Sequence, residues 1–282
     1  MTTCALDHGT SLGLAGPRIA LLAELFRRQP QLAWTGLLFL LATLPVLLAM
    51  SVDARTVNDI NIWMKPAKFL ISFVAYYWTL AWMFGYLPDS AQRTRAGRFI
   101  ILAAIVAGVL EMAWLIGMAA IGQPAHFNRN QPLYQVIYAL AGVGSVVLMT
   151  AILVQAIMLA RGREIAIDPA FRLALVLGGV LGFVLTLLVT GYLAAGTGHW
   201  VGGVRSDVGG ATLMGWSRSG GDLRVAHFFA LHATQFIPLA GWLISRSSIP
   251  ARSAAVWSAA AAYVALVGYT FVQALSGQAF LG

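Results

Sequence analysis

The chain has 282 residues, 59% of them apolar and only 10% charged, with a mean hydropathy of +0.78. A soluble domain carries a charged fraction nearer a quarter, so this composition excludes a soluble protein and specifies a polytopic membrane protein partnered by the lipid bilayer. The net charge of +8 does not point to nucleic acid, because the arginines sit in short loops between apolar spans, where they orient helices and meet anionic headgroups.

Residues 1–30 read as a tail followed by an interfacial amphipathic helix over 17–29, PRIALLAELFRRQ. Pro17 suits a first helical position there, and the apolar residues follow at helical spacing. No charged region leads into a short apolar run and a cleavage site, so no cleavable signal peptide is expected and the first span serves as its own insertion signal. Residues 31–282 read as one transmembrane helical domain. Crossing about 30 Å of hydrocarbon takes roughly 20 helical residues, and seven stretches qualify, near 31–50, 67–87, 99–121, 133–160, 171–195, 223–245 and 254–276. The small-residue strings AGVGS at 141–145 and GGVLG at 178–182 predict close helix packing, and most tryptophans read as interface belt and packing.

Eleven of the 18 Lys and Arg residues fall on one side of this topology: Arg18, Arg27, Arg28, Arg93, Arg95, Arg98, Arg161, Arg163, Arg172, Arg246 and Arg252. The positive-inside bias then puts the N-terminus in the cytoplasm and the C-terminus outside. On the outer side, His126 follows the third span, His199 follows the fifth, and His227 and His232 lie in the outer half of the sixth. His8, in the tail, reads as incidental. The long connection from Gly196 to Gly221 holds seven glycines between those ends, with Arg205 and Asp207. Loops of this length are often functional, so it is a candidate lid or site wall, or else a passive crossing.

Ionisable groups are costly in hydrocarbon and mark functional sites by default. Cys4 is the single cysteine, so no intrachain disulfide or cysteine-based zinc or iron–sulfur site can form, and any metal needs His, carboxylate or Met. On a straight helix the five-residue spacing of His227 and His232 gives about 7.5 Å of rise and roughly 140° of rotation. They do not easily grip one ion together, unless a local bulge intervenes. By depth, at 1.5 Å per residue, His232 and Glu111 lie about 14 and 15 Å below the outer ends of their helices. They are expected to meet as a lower layer, with Glu111 as proton carrier. His126, His199 and His227 form the expected upper layer, with Asn128, Asp222 and Arg224 nearby. Lys65 and Lys68, three apart around Pro66, can face one side and clamp an anionic headgroup or carboxylate, or else snorkel to lipid phosphate.

Three readings fit. The imidazoles of His126, His199, His227 and His232 bind haem or a transition ion (copper, iron or zinc) in an oxidoreductase or electron-transfer protein, with Asn128 beside the cofactor and Glu111 and His232 in the catalytic layer. Alternatively, a transporter or small-ligand sensor binds an anionic, quinone or lipid-like molecule through Lys65, Asp222, Arg224 and Gln235, the polar layer relaying protons. In the third, these groups simply bond neighbouring helices. There is no P-loop, dinucleotide glycine fingerprint, His-Glu-x-x-His or Gly-x-Ser-x-Gly elbow.

Three strings, NIWMKPAKF at 61–69, AHFN at 125–128 and SGGDLRVAHFFALHATQ at 219–235, give a resemblance over nearly the whole chain. It resembles a family of uncharacterised bacterial integral membrane proteins with Trp-x-Lys-Pro-x-Lys-Phe, Ser-His-Phe-Asn and Gly-Asp-Leu-Arg-x-Ala-His-Phe-x-Gly-Leu-His motifs. Ala125 stands where that pattern has Ser and Ala230 where it has Gly. The resemblance implies a multi-pass protein of the bacterial inner membrane and carries no mechanism.

Overall fold

A computed structural model describes residues 17–162, 165–211 and 214–281; Cys4, His8 and Arg163 lie outside the described residues. Seven helices are long and apolar enough to cross a membrane: α2 (Pro30–Val52), α3 (Met64–Phe84), α5 (Arg95–Ala120), α6 (Pro132–Arg161), α7 (Pro169–Ala195), α8 (Leu223–Ser245) and α9 (Arg252–Leu275). Two shorter helices, α1 (Pro17–Arg28) and α4 (Asp89–Gln92), complete the helical set among the described residues. The protein is an all-α polytopic bundle.

Helix starts follow local chemistry. Gln29, Thr94, Asp168 and Asp222 accept backbone N–H bonds at the starts of α2, α5, α7 and α8, satisfying donors that the first turn leaves orphaned. Proline occupies the first turn of α2, α6 and α7, where its missing N–H costs nothing. The second span starts at Met64, three residues before the expected 67, so Lys65 and Lys68 belong to the first turns of α3. The expected N-terminal helix forms as α1, where Glu24 bridges Arg27 and Arg28 and the Arg28 guanidinium donates to the Trp82 carbonyl at the end of α3.

The main core lies among α2, α3, α5 and α6, around Tyr77, Phe84, Leu80 and Leu115. Tyr77 Oη donates to Ala104 O on α5, while Tyr76 Oη and Gln155 Nε2 link α3 and α6 through Leu148 O and Leu80 O. In lipid, helices associate through close packing of small residues, and the α7–α8 seam shows it. A side chain added at Gly182 would strike Thr234, one at Gly178 would strike Pro238, and one at Gly241 would strike Ala174. The expectation for GGVLG at 178–182 holds.

The expectation for AGVGS at 141–145 is corrected. Nothing lies within 4 Å of a Cβ added at Gly142 or Gly144. None of residues 132–147 is buried, whereas all the buried residues of α6 fall between Leu148 and Leu159. Small residues permit close approach but do not say which helix approaches.

The loops after α2, α5 and α7 gather on one side of the bundle, the histidine face, and are more ordered than their composition suggests. β1 (Thr56–Val57) and β2 (Ile60–Asn61) pair antiparallel across Asn58 and Asp59, both left-handed at φ 54 and 65, the paired left-handed geometry of a tight hairpin turn. β3 (Trp200–Val201) pairs with β4 (Gly221–Asp222) at the stem of the long loop.

Candidate functional site

The three strings at 61–69, 125–128 and 219–235 meet on the histidine face, where α3, α5, the 121–131 loop and α8 surround a two-layered polar site.

The rim layer is a cap built from the 196–222 loop. Asp207, buried, takes Arg224 at 2.7 Å and His199 Nε2 at 3.2 Å, and its backbone N–H donates to Asn58 O of the hairpin. Arg224 also grips Asp222 through Nε and Nη2 at 3.0 and 2.6 Å, and donates to Gly215 O at 2.8 Å. Asp222, only 1% exposed, accepts in addition from the Ser217 and Arg224 backbone. Lys68 Nζ donates to Met214 O at 3.0 Å, and Trp216 is packed among Phe228, Phe229 and Phe280. Asp207, Asp222, Arg224 and Lys68 each have a polar partner in this rim. Among its described residues, the loop expected as a lid or site wall, or else as a passive crossing, forms an ordered cap.

Burial pulls the His199 imidazole below its ordinary pKa, partly offset by the hydrogen bond to Asp207. Burial pushes the Asp207 carboxyl upward, but the His199 bond and the Arg224 charge outweigh it and hold it below the usual carboxylate range. Asp207 is therefore ionised and accepts the Nε2–H of a neutral His199.

The inner layer is less completely paired. Glu111, in α5, is 5% exposed and faces His126 with Nε2 to Oε1 at 3.6 Å, too long for a direct hydrogen bond. His126 Nδ1 is buried with no partner among the described residues. Burial first, then the fields of Lys65 and His227, hold the His126 imidazole well below its ordinary pKa, so it is neutral at pH 7. Lys65 is half-buried, stands within electrostatic reach of Glu111, Asp207 and Arg224, and has no hydrogen bond or ion pair among the described residues; its Nζ lies 6.0 Å from the Phe69 ring centroid. The Phe69 and Tyr138 rings each lie 5.7 Å from the His126 ring.

Deeper in α8, His227 Nδ1 lies 2.9 Å from the Thr190 hydroxyl of α7. His232 Nδ1 lies 3.2 Å from Gln235 Oε1, and Gln235 Nε2 donates to Thr79 Oγ1 of α3. An amide oxygen only accepts, so His232 carries its proton on Nδ1 and leaves Nε2 as a potential base.

The expected pairing of Glu111 with His232 is therefore corrected. Matching depth does not fix azimuth: the α8 face carrying His232 turns toward Gln235 and α3, and Glu111 meets His126 instead. The upper set of His126, His199 and His227 divides likewise, each imidazole addressing a different partner. Among the described residues no three His, Cys, Asp or Glu side chains gather as they would around a metal ion. Asn128, 2% exposed, shapes its own turn by donating to Pro124 O and accepting from the Asn130 N–H. Asp222 and Arg224 belong to the rim.

Sequence reasoning missed Thr190, Thr79, Tyr138 and Phe127. The first three are ordinary span residues without a local signal. Phe127 has φ 58, a left-handed conformation that costs a bulky residue about 1–3 kcal/mol and persists only where the surroundings enforce it, often at functional sites. A non-glycine, non-Asn residue there is invisible to turn rules. No protein-family model, no curated protein and no solved structure matches this chain.

Proposed function

We propose that the chain is a bacterial inner-membrane protein, N-terminus in the cytoplasm, that binds a small anionic or lipid-like molecule in the inner polar layer, as a transporter or sensor. The observation carrying this reading is Lys65, a half-buried cation with no partner among the described residues, beside a buried carboxylate that lacks a direct hydrogen bond. Lys68, one turn away, has found the Met214 carbonyl, so an unpartnered lysine is not forced by this position in the helix. A ligand anion supplies what Lys65 lacks. Glu111 and His126 exchange a proton with the ligand or with each other, and His232 with Gln235 forms the floor.

The test is thermal unfolding of the purified protein against straight-chain carboxylates from acetate to palmitate, with methyl palmitate as the uncharged control. A ligand at a hundredfold its Kd stabilises by about 2.7 kcal/mol, a shift of several degrees. The acid and not the ester should raise Tm, and Lys65→Gln should abolish the rise. Equal shifts with acid and ester, or a full shift in Lys65→Gln, would refute the reading.

A second reading, a haem or copper, iron or zinc oxidoreductase, draws support from His126 Nδ1 and from His232 Nε2, both without a partner among the described residues. The dispersal of the imidazoles among separate partners counts against it. Metal analysis and a visible spectrum of protein never exposed to chelator separate the two: a Soret band or stoichiometric metal would favour this reading.

A further inference from the structure

The site has one side capped and one side loosely covered. Toward water, the cap is pinned by Asp207, Arg224 and Lys68 over the inner layer. Toward lipid, the half of α6 nearest the histidine face carries no buried residue over 132–147. Below Leu148 the same helix is tied to α3 through Tyr76 and Gln155. Above it the Tyr134 ring lies against Trp114, and the Tyr138 ring against His126 and Phe127. Tyr138 stands within electrostatic reach of Glu111. Phe127, held at φ 58, keeps its ring 6.0 Å from Tyr138. Behind this pair lie Glu111, 5% exposed and without a hydrogen bond, and the orphaned His126 Nδ1.

From this juxtaposition we infer that the ligand is a membrane-resident amphiphile with a single anionic head and a long apolar tail, entering sideways from the outer leaflet between Phe127 and Tyr138. The head passes the two rings to reach Lys65, Glu111 and His126, and the tail lies along the half of α6 that carries Gly142 and Gly144, where nothing approaches within 4 Å. Charge complementarity selects an anionic head that binds together with a proton on Glu111: with that carboxyl neutral, Lys65 is the uncompensated cation of the inner layer, and Arg224 is already matched by two carboxylates. The apolar surroundings of the entrance select a tail. The inference rests on the proposed anion-binding function and adds the ligand's class and its route.

The test is photo-crosslinking of the full chain, reconstituted in zwitterionic vesicles, with diazirine-bearing palmitate, and hexanoate and unlabelled palmitate as competitors. The expected result is labelling of the 127–145 segment that unlabelled palmitate competes away and hexanoate does not. Lys65→Gln should lower it at least tenfold and Lys65→Arg should restore it, which separates lost binding from lost folding. Equal competition by hexanoate, with labelling still dependent on Lys65, overturns the lateral route and the tail while leaving the anion site standing. Labelling indifferent to Lys65→Gln marks annular lipid only and overturns both. Stoichiometric disulfide formation between two Gly142→Cys chains shows the α6 face to be covered by a second copy and overturns the lateral route.

Discussion

The rim and the inner layer lie on the same face of one bundle, yet they treat charge differently. In the rim, Arg224 has two carboxylates and a carbonyl, Asp207 has an imidazole and a guanidinium, and Lys68 has a carbonyl. In the inner layer, among the described residues, Lys65 has no polar partner and Glu111 only an imidazole at 3.6 Å. Groups that hold a fold together are satisfied by the fold, because an unpaired buried charge is expensive. Groups left short of partners in the same low-dielectric setting are those that gain most from a ligand. The difference separates structural from functional polarity where residue type alone does not: Arg224 and Lys65 both looked like anion binders in the sequence.

The rim should break hardest. Arg224→Met strands the Asp207 and Asp222 carboxylates, and losing one partner of a buried pair costs about 3–5 kcal/mol; thermal unfolding should register a large fall in Tm. A double-mutant cycle on Glu111→Gln and His126→Ala should give a coupling of about 1 kcal/mol, within the range for residues in contact. The same cycle on Glu111→Gln and His232→Ala should be additive within about 0.5 kcal/mol. Acid should loosen the cap in two stages. Both His199 and Asp207 have folded pKa values below their unfolded ones, so each stabilises least at low pH. Stability falls first below about 6.5, where an unfolded His takes a proton that the buried ring resists, and again below about 3.9, where an unfolded Asp takes a proton that folded Asp207 resists. Hydrogen exchange over residues 214–222 should rise on acidification, and His199→Gln should shrink the first stage, leaving the share that His126 supplies. Smallest of all, Lys65→Gln should not lower Tm without ligand, because it breaks no structural contact and relieves an unpaired, half-buried charge.

The bundle was legible because membrane thickness fixes helix length. The sixth span begins at Leu223 in both the sequence pattern and the structure, since Asp222 offers a cap just before the apolar run. The convergence of His126, His199, His227 and His232 on one face was legible from topology alone. Their partners were not, because depth along a helix can be counted whereas rotation about it depends on the neighbours. Glu111 was given to His232 on depth and belongs with His126 on azimuth. The 196–222 cap was opaque for a related reason: its anchors pair residues as distant as Asn58 with Asp207 and Lys68 with Met214, and glycine content speaks only of permitted conformations. The AGVGS string misled because a small residue is equally at home against another helix and in lipid.

Native mass spectrometry of wild type and Lys65→Gln, each released from zwitterionic nanodiscs supplemented with palmitate, tests the central claim most directly. A partnerless Lys65 that serves as the anion site predicts one palmitate bound per wild-type chain and at least tenfold lower occupancy in the variant, with no fall in its ligand-free Tm. Equal occupancy in the two proteins would contradict it.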